Sequence, residues 1–135
     1  MEIKLSHIAI ACPDIQILAE KLEKLGLRES ERHEVPSERV SASMIPVKIS
    51  KHFRIELLEP TGEDSPIAKF LQKRAKGGIH HICFEVSGLD DWNQRLTVAG
   101  IEVLAPGIRK GARGRVLFIH PRSMGGTLVE LEEIS

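Results

Sequence analysis

The chain has 135 residues, which is the size of one domain or of two small modules that share a core. Nineteen basic and nineteen acidic side chains leave no net charge, which argues against a basic nucleic-acid binder or an acidic tail. Apolar residues make up 41% of the chain, yet no apolar run approaches the roughly 20 residues of a membrane span.

The cellular location is predicted from the N-terminal residues and the cysteines. The apolar run at residues 8–12 is shorter than the roughly 7–15 residues at the centre of a secretory signal, so we interpret it as part of the first strand. Cys12 and Cys83 have neither metal-ligand nor Cys-x-x-Cys spacing, so nothing requires an oxidising compartment. We therefore expect a cytoplasmic protein with no membrane and no nucleic-acid partner.

The first half of the chain predicts the order β-α-β-β-β. Apolar residues alternate after His7, then Pro13 and Asp14 open a stretch with helical spacing, and Gly26 closes it. Three further strands are predicted at residues 27–35, 40–47 and 53–58, with the polar stretch 48–52 between the last two.

The same order begins again after a turn at residues 60–64. Ser65 followed by Pro66 is typical of a helix start, and this helix is expected to run to about Arg74. A strand, a helix and three strands follow at residues 79–86, 89–99, 101–104, 116–120 and 127–131. We therefore predict one domain with module one at about residues 1–60, a linker helix at 61–77 and module two at about 78–135.

Comparing the two halves residue by residue reveals a repeat with an offset of 74. The offset places His7 on His81, because 81 − 7 = 74, and Glu56 on Glu130, because 130 − 56 = 74. In each half a histidine on the first strand is followed 49 residues later by a glutamate on the last strand, since 56 − 7 = 130 − 81 = 49. The register also selects His81, rather than its neighbour His80, as the counterpart of His7.

The two histidines and two glutamates are predicted to share one face of the sheet. Side chains alternate across a strand, and apolar residues flank all four, so the apolar neighbours would pack beneath the helices. Those neighbours are Ile8, Ile55, Leu57, Ile82, Val129 and Leu131. Any one of the four polar residues alone is more typical of a solvated surface. Together they predict a site for a divalent cation, with Co²⁺, Zn²⁺, Ni²⁺, Mn²⁺ and Fe²⁺ all left open. The predicted metal ligands are His7, Glu56, His81 and Glu130.

Longer stretches resemble a known family nearly end to end. They lie at residues 6–11, 55–60, 64–71, 78–86 and 118–131. The chain resembles the vicinal oxygen chelate superfamily. The helix Asp-Ser-Pro-Ile-Ala-Lys-Phe-Leu at 64–71 and the Gly125-Gly126 turn after His120-Pro121 narrow the resemblance to its methylmalonyl-CoA epimerase family. The resemblance implies an α+β fold of two tandem β-α-β-β-β modules that form a curved mixed sheet around a metal site. It also implies an acyl-CoA substrate and a homodimer.

The chemistry that the resemblance implies is inversion at the α-carbon of a methylmalonyl thioester. A cation on the thioester oxygens would stabilise the enolate by several kcal/mol, and carboxylates would remove and return the proton. Glu130 matches the family's glutamate at the metal. The family's second catalytic glutamate follows a Val-Pro pair, where this chain has Ser37 and then Glu38. Glu38 can serve if a bulge or a shifted turn re-aims it; otherwise it is one charge of a solvated run.

Two arginines in the basic stretch 109–115 are the predicted substrate-binding residues. Arg113 and Arg115 lie among glycines, and a guanidinium can bind the carboxylate or phosphate of an acyl-CoA in bidentate fashion. Two other interpretations stay open: a lactoylglutathione lyase, which shares the fold and metal arrangement, and a member of the superfamily that binds without turnover. A ring-cleaving dioxygenase is less favoured, because it uses only two histidines and one carboxylate.

Overall fold

The computed structural model describes residues 3–47 and 53–134, and the predicted polar stretch 48–52 lies outside the described residues. Within these described residues, eight strands, three α-helices and two 3-10 turns follow one another. In order, they are β1 (Ile3–Ala11), α1 (Ile15–Glu23), β2 (Glu31–Val35), the turn Pro36–Glu38, β3 (Val40–Pro46), β4 (Arg54–Pro60), α2 (Pro66–Lys73), β5 (Gly78–Val86), α3 (Leu89–Val98), β6 (Arg109–Lys110), β7 (Arg115–Ile119), the turn Pro121–Ser123 and β8 (Leu128–Glu133).

The chain forms two compact units, and we call the four strands with mixed pairing in each unit the sheet of that unit. The first unit comprises residues 7–80, and its strands lie in the order β2-β3-β4-β1. The second unit comprises residues 1–6 and 81–135, with the order β5-β8-β7-β6. Strand β1 pairs with β4 in parallel and β5 pairs with β8 in parallel, whereas the other pairs within each unit are antiparallel. The predicted α+β class and its β-α-β-β-β modules are confirmed.

Strand register confirms the repeat. Ala9 lies opposite Glu56 in the first unit, and Cys83 lies opposite Glu130 in the second. Both members of the second pair are 74 residues after those of the first, because 83 − 9 = 130 − 56 = 74. The offset found in the sequence therefore describes equivalent positions in three dimensions.

The apolar residues that flank the two glutamates on the last strand of each unit pack beneath helices, as predicted. In the first unit, Leu57 and Ile55 pack with Ile15 at the start of α1. In the second, Val129 and Leu131 pack with residues of α3 that include Leu89. The first unit also has a cluster on its opposite face, where Ala9, Met44, Leu58 and others pack against Ile67 of α2. These apolar contacts are the main source of helix docking, because burial stabilises by about 25 cal/mol per Å² of apolar surface.

The helix starts follow the sequence signals. Asp14 caps α1 by accepting a hydrogen bond from the Ile17 amide, and Ser65 caps α2 by accepting one from the Ile67 amide. After α2, Gly77 adopts a φ of +91°, and a Cβ atom at this position would clash with the carbonyl oxygen of Ala11. Only glycine fits there, which explains why the linker helix is followed by glycine before β5 begins.

Each unit also ties the start of one helix to the last strand of its sheet. The Ile15 amide at the start of α1 donates to Glu59 Oε1 at 2.8 Å. The Leu89 amide at the start of α3 donates to Glu133 Oε2, also at 2.8 Å. Both residues of this link are again offset by 74. The carboxylates satisfy amides that a helix leaves unpaired at its N-terminus and interact favourably with the helix dipole.

One predicted strand is wrong. Residues 101–104 contribute an isolated antiparallel bridge, Val103 to Ile119, rather than a strand. The edge of the second sheet is formed instead by Arg109 and Lys110, which pair with Val116 and Arg115. Pro106 has no amide hydrogen to donate, and the adjacent Gly107 has a positive φ, so an extended ladder does not continue through this region.

Candidate functional site

The first predicted His–Glu pair forms in the first unit. His7 Nδ1 lies 3.2 Å from Glu56 Oε2, and the two residues are only 3% and 8% exposed. Strand β1 supplies the histidine, and the parallel neighbour β4 supplies the glutamate. We call these two residues the first His–Glu pair.

An arginine that the sequence analysis did not identify lies against this pair. Arg54 is two residues before Glu56 on β4, so it lies on the same face of the strand. Its Nη2 atom is 2.7 Å from Glu56 Oε2 and 3.2 Å from His7 Nδ1, and its Nε is 2.9 Å from the same Glu56 oxygen. The guanidinium therefore balances a buried carboxylate. Its i−2 spacing from Glu56 predicts the shared face but not the contact.

The second predicted pair forms in the second unit with the same separation. His81 Nε2 lies 3.2 Å from Glu130 Oε1, and the residues are 7% and 9% exposed. The neighbouring His80 points to a different environment, because its ring packs edge-on against Phe70 at 5.2 Å. The choice of His81 over His80 as the counterpart of His7 is therefore supported. We call His81 and Glu130 the second His–Glu pair.

Cys83 is a further neighbour of the second His–Glu pair. It is fully buried, and its Sγ atom lies within 4.8 Å of a Glu130 carboxylate oxygen. Cysteine spacing along the chain gave no hint of this, but the i+2 position after His81 on the same strand predicts a shared face. Cys12, the other free thiol, lies in the apolar cluster beside α1. Burial, with Glu59 and Asp14 adding to it, raises the pKa of the Cys12 thiol to about 11.

The donor chemistry of both pairs fits a divalent metal ion. Each pair offers an imidazole nitrogen and a carboxylate oxygen in a buried position, and buried carboxylates are normally paired with cations or bound to metals. Nitrogen and oxygen donors suit zinc, cobalt, nickel, manganese and iron alike, and the thiol beside the second pair is a softer donor.

Glu38 lies in a turn rather than in a strand. It is the last residue of the 3-10 turn Pro36–Glu38, which joins β2 to β3, and it is partly buried while Ser37 is exposed. Arg39, which follows, has a left-handed φ of 54° and forms an ion pair with Asp64 at 3.0 Å. Strand alternation therefore does not fix the direction of Glu38.

The two predicted substrate-binding arginines lie on opposite faces of the second sheet. Arg113 donates to Glu132 at 2.7 Å, and Glu132 shares the face of Glu130 because the two are separated by one residue on β8. Arg115 instead joins Glu133 to Asp90 of α3, at 2.8 and 2.9 Å. Glu133 and then Asp90 raise the pKa of Arg115. In return, Arg115 and then the Leu89 amide lower the pKa of Glu133.

Comparison with known proteins identifies the class. The sequence profile of the Glyoxalase/Bleomycin resistance protein/Dioxygenase superfamily matches residues 6–118. The chain therefore belongs to this superfamily, as the resemblance of its repeated modules implied.

Within the superfamily, the chain is similar to one group of enzymes. It is 44% identical to an ethylmalonyl-CoA/methylmalonyl-CoA epimerase of Cereibacter sphaeroides, over 97% of this chain and 98% of the relative. It is 42% identical to the mitochondrial methylmalonyl-CoA epimerase of Homo sapiens, over 96% of this chain and 73% of the relative. A variant of the Streptomyces coelicolor methylmalonyl-CoA epimerase, solved with 2-nitronate-propionyl-CoA, superposes with a TM-score of 0.87 at 30% identity. That match covers 98% of this chain and 94% of the other. The predicted resemblance to the methylmalonyl-CoA epimerases is confirmed.

Proposed function

We propose that this protein is a metal-dependent epimerase that interconverts (R)- and (S)-methylmalonyl-CoA. The observation that supports this most directly is the duplicated His–Glu pair, buried and 3.2 Å apart in each unit of a chain similar to epimerases of this substrate. We further propose that both pairs bind the same divalent ion. His7, Glu56, His81 and Glu130 would hold the ion, and the ion would supply Lewis-acid stabilisation of the negative charge on the thioester oxygen, by several kcal/mol.

The reaction requires one proton to leave and one to return on the other face of the α-carbon. That proton is weakly acidic because a thioester carbonyl and a carboxylate flank the carbon. We assign Glu130 as one acid–base group and Glu38 as the other, in keeping with the family's use of two glutamates. The partly buried position of Glu38 in the Pro36–Glu38 turn supports its role, because a turn can present a side chain that strand alternation would turn away.

Of the two predicted substrate-binding arginines, we propose Arg113 for substrate contact. It is 44% exposed and shares a face with the second His–Glu pair through Glu132. Arg115 forms ion pairs with Glu133 and with Asp90 of α3, so we assign it a structural role in fixing that helix to the sheet.

The location and assembly are part of the same proposal. None of the three α-helices in residues 3–47 and 53–134 is long and apolar enough to cross a membrane. Cys12 and Cys83 are both free thiols, which supports the proposed cytoplasmic location because reduced cysteines are typical of that compartment. The family resemblance supports a homodimer, which light scattering of the purified protein would measure directly.

The function is tested by incubating the metal-loaded protein with one methylmalonyl-CoA epimer in D₂O. We expect both inversion of the α-carbon and incorporation of deuterium there. Chiral chromatography measures the inversion, and mass spectrometry measures the deuterium. Isomerisation of a glutathione hemithioacetal without either result would assign the protein as a lactoylglutathione lyase. Tight acyl-CoA binding with neither activity would assign it as a binding member of the superfamily.

The role of Glu38 is tested in the same assay with Glu38→Gln. We expect the epimerisation rate to fall by roughly 100-fold or more, since general acid–base catalysis typically contributes 10²–10⁴-fold. Ser37→Ala, which alters the neighbouring exposed residue, is the matched control and should leave the rate unchanged. An unchanged rate in Glu38→Gln would place Glu38 outside the reaction.

A further inference from the structure

Arg109 lies on the same face of the second sheet as the second His–Glu pair. Strand β6 places Arg109 opposite Val116 of β7, and β7 in turn places Phe118 opposite Glu130 of β8. Directly paired residues share a face, and so do residues separated by one position, so Arg109 follows Val116, Phe118 and Glu130 onto this face. The next residue, Lys110, belongs to the other face.

An aromatic ring connects Arg109 to the second His–Glu pair. The Arg109 guanidinium carbon lies 4.7 Å from the centre of the Phe118 ring, within the range of a cation–π contact. Phe118 and His81 form a T-shaped contact, with 5.8 Å between ring centres and an interplanar angle of 87°. Phe118 therefore contacts both the Arg109 guanidinium and the His81 imidazole. This contact holds the guanidinium close to the ring that packs against the second His–Glu pair.

A buried donor of Arg109 lacks an acceptor. Its Nε atom is buried and has no hydrogen-bond partner among residues 3–47 and 53–134. The two other arginines of the same basic stretch differ, because Arg113 donates to Glu132 and Arg115 donates to Glu133. Burying a donor without an acceptor is unfavourable, especially for a charged group. The side chain as a whole is only half-buried, so an anionic oxygen that reaches its guanidinium would offset part of this cost.

We propose that Arg109 binds an anionic oxygen group of the substrate next to the second His–Glu pair. The inference rests on the proposed function, because it assigns the residue that recognises the charge of an acyl-CoA at that site. The guanidinium above Phe118 fits a carboxylate or a phosphate equally well, since both accept two parallel hydrogen bonds. In methylmalonyl-CoA the source is either the free carboxylate of the acyl group or a phosphate of the nucleotide.

Three ligands distinguish the two sources. Methylmalonyl-CoA carries both anionic groups, propionyl-CoA lacks the free carboxylate, and methylmalonyl-pantetheine lacks the nucleotide phosphates. Dissociation constants are measured by calorimetry for metal-loaded wild type, Arg109→Met and Arg109→Lys. Lys110→Met is the matched control, because it removes an adjacent exposed charge from the same strand.

We expect Arg109→Met to bind methylmalonyl-CoA roughly 10- to 100-fold more weakly, the loss typical of one charge-assisted hydrogen bond, and Arg109→Lys to recover part of that loss. If the carboxylate is the source, methylmalonyl-pantetheine shows the same loss and propionyl-CoA shows none. If a phosphate is the source, propionyl-CoA shows the loss and methylmalonyl-pantetheine does not. Lys110→Met should bind all three ligands like the wild type.

The result that overturns the inference is wild-type affinity of Arg109→Met for all three ligands. Metal content and the thermal unfolding midpoint are recorded for each variant, because a variant that lost its metal or its fold would weaken every ligand together. If Arg109→Met loses its metal or its fold, Arg109→Lys, which keeps the positive charge but not the planar guanidinium, is used for the comparison of the three ligands. Failure of the proposed function has a different signature, since the wild type itself would neither bind nor epimerise methylmalonyl-CoA.

Discussion

The two His–Glu pairs have the same geometry but different surroundings. Both separate their imidazole and carboxylate by 3.2 Å. The first pair lies against the Arg54 guanidinium, whereas the position equivalent to Arg54 in the second unit is Leu128, since 54 + 74 = 128. The second pair lies beside Cys83, where the first unit has Ala9.

The repeat preserves the imidazole and carboxylate of each pair, whereas the neighbouring side chains differ between the two units. The donor atoms that suit a metal are present in both units, which supports a shared task. The added groups differ in charge: a cation is bound directly to the carboxylate of the first pair, whereas the cation near the second pair, Arg109, is held on the Phe118 ring. We interpret the first unit as the one that balances charge and the second as the one that faces the substrate.

Removing either histidine gives the largest expected effect and tests whether the two pairs act as one site. We expect His81→Ala and His7→Ala each to lower metal affinity by more than roughly 10- to 100-fold. That range is the usual cost of losing a residue that only hydrogen-bonds to a metal ligand. Metal content after dialysis, measured by mass spectrometry, checks this. His80→Ala is the control and should keep its metal. Loss of metal in only one of the two variants would contradict a shared ion.

Replacing Arg54 tests the difference between the pairs most directly. Arg54→Leu copies Leu128 of the other unit and leaves Glu56 buried without its cation. We expect the metal-free protein to lose about 3 kcal/mol of unfolding free energy, as when one partner of a buried ion pair is removed. Added metal should restore much of this loss, because it would neutralise the same carboxylate. Urea unfolding with and without Zn²⁺ measures both values.

The control for that experiment is Arg32→Leu, which removes an arginine from a surface pair with Glu29 in the same unit. Such pairs contribute about 0–1 kcal/mol, so we expect a small loss that metal does not change. If Arg54→Leu loses the same stability with and without metal, the guanidinium has a purely structural role.

The smallest expected effect concerns the hydrogen bond between Glu133 of β8 and the Leu89 amide at the start of α3. Glu133→Ala should cost about 1 kcal/mol at neutral pH, the usual value for losing a side-chain acceptor at a helix start. Because Arg115 and the Leu89 amide lower the pKa of Glu133 below its ordinary 4.5, its contribution is complete above that pH and is lost as the pH falls through the lowered pKa. Urea unfolding of both proteins from pH 7 to pH 3 should show their difference shrinking in acid.

Glu59→Ala provides the matched variant in the other unit, because it removes the acceptor of the Ile15 amide. A comparable loss at neutral pH would show that the two links are equivalent. A difference between wild type and Glu133→Ala that grows in acid would contradict the assigned role of the Glu133 charge.

The repeat could be predicted from the sequence because strand pairing depends on local patterns. The alternation around His7 and Glu56, repeated 74 residues later, was sufficient to identify both pairs and the faces on which they lie. The start of α2 was equally accessible, since Ser65 and Pro66 are strong local signals.

Other features depend on contacts between distant residues and could not be predicted. Arg54 is an unremarkable strand residue until its guanidinium is seen between Glu56 and His7. The β6–β7 hairpin replaced a predicted strand at 101–104 because pairing in three dimensions selected Arg109 and Lys110 over a more apolar segment. Glu133 and Glu59 carry no motif, since each acts on an amide 44 residues away.

Strand β8 carries Glu130 towards His81 and, three residues later, Glu133 towards the start of α3. A slip of one residue in the pairing of β8 would turn both carboxylates to the wrong sides at once. The hydrogen bond between Glu133 and the start of α3 therefore forms only when β8 is paired in the register that also places Glu130 beside His81. When α3 has docked correctly during folding, the Glu130 carboxylate therefore already lies beside His81.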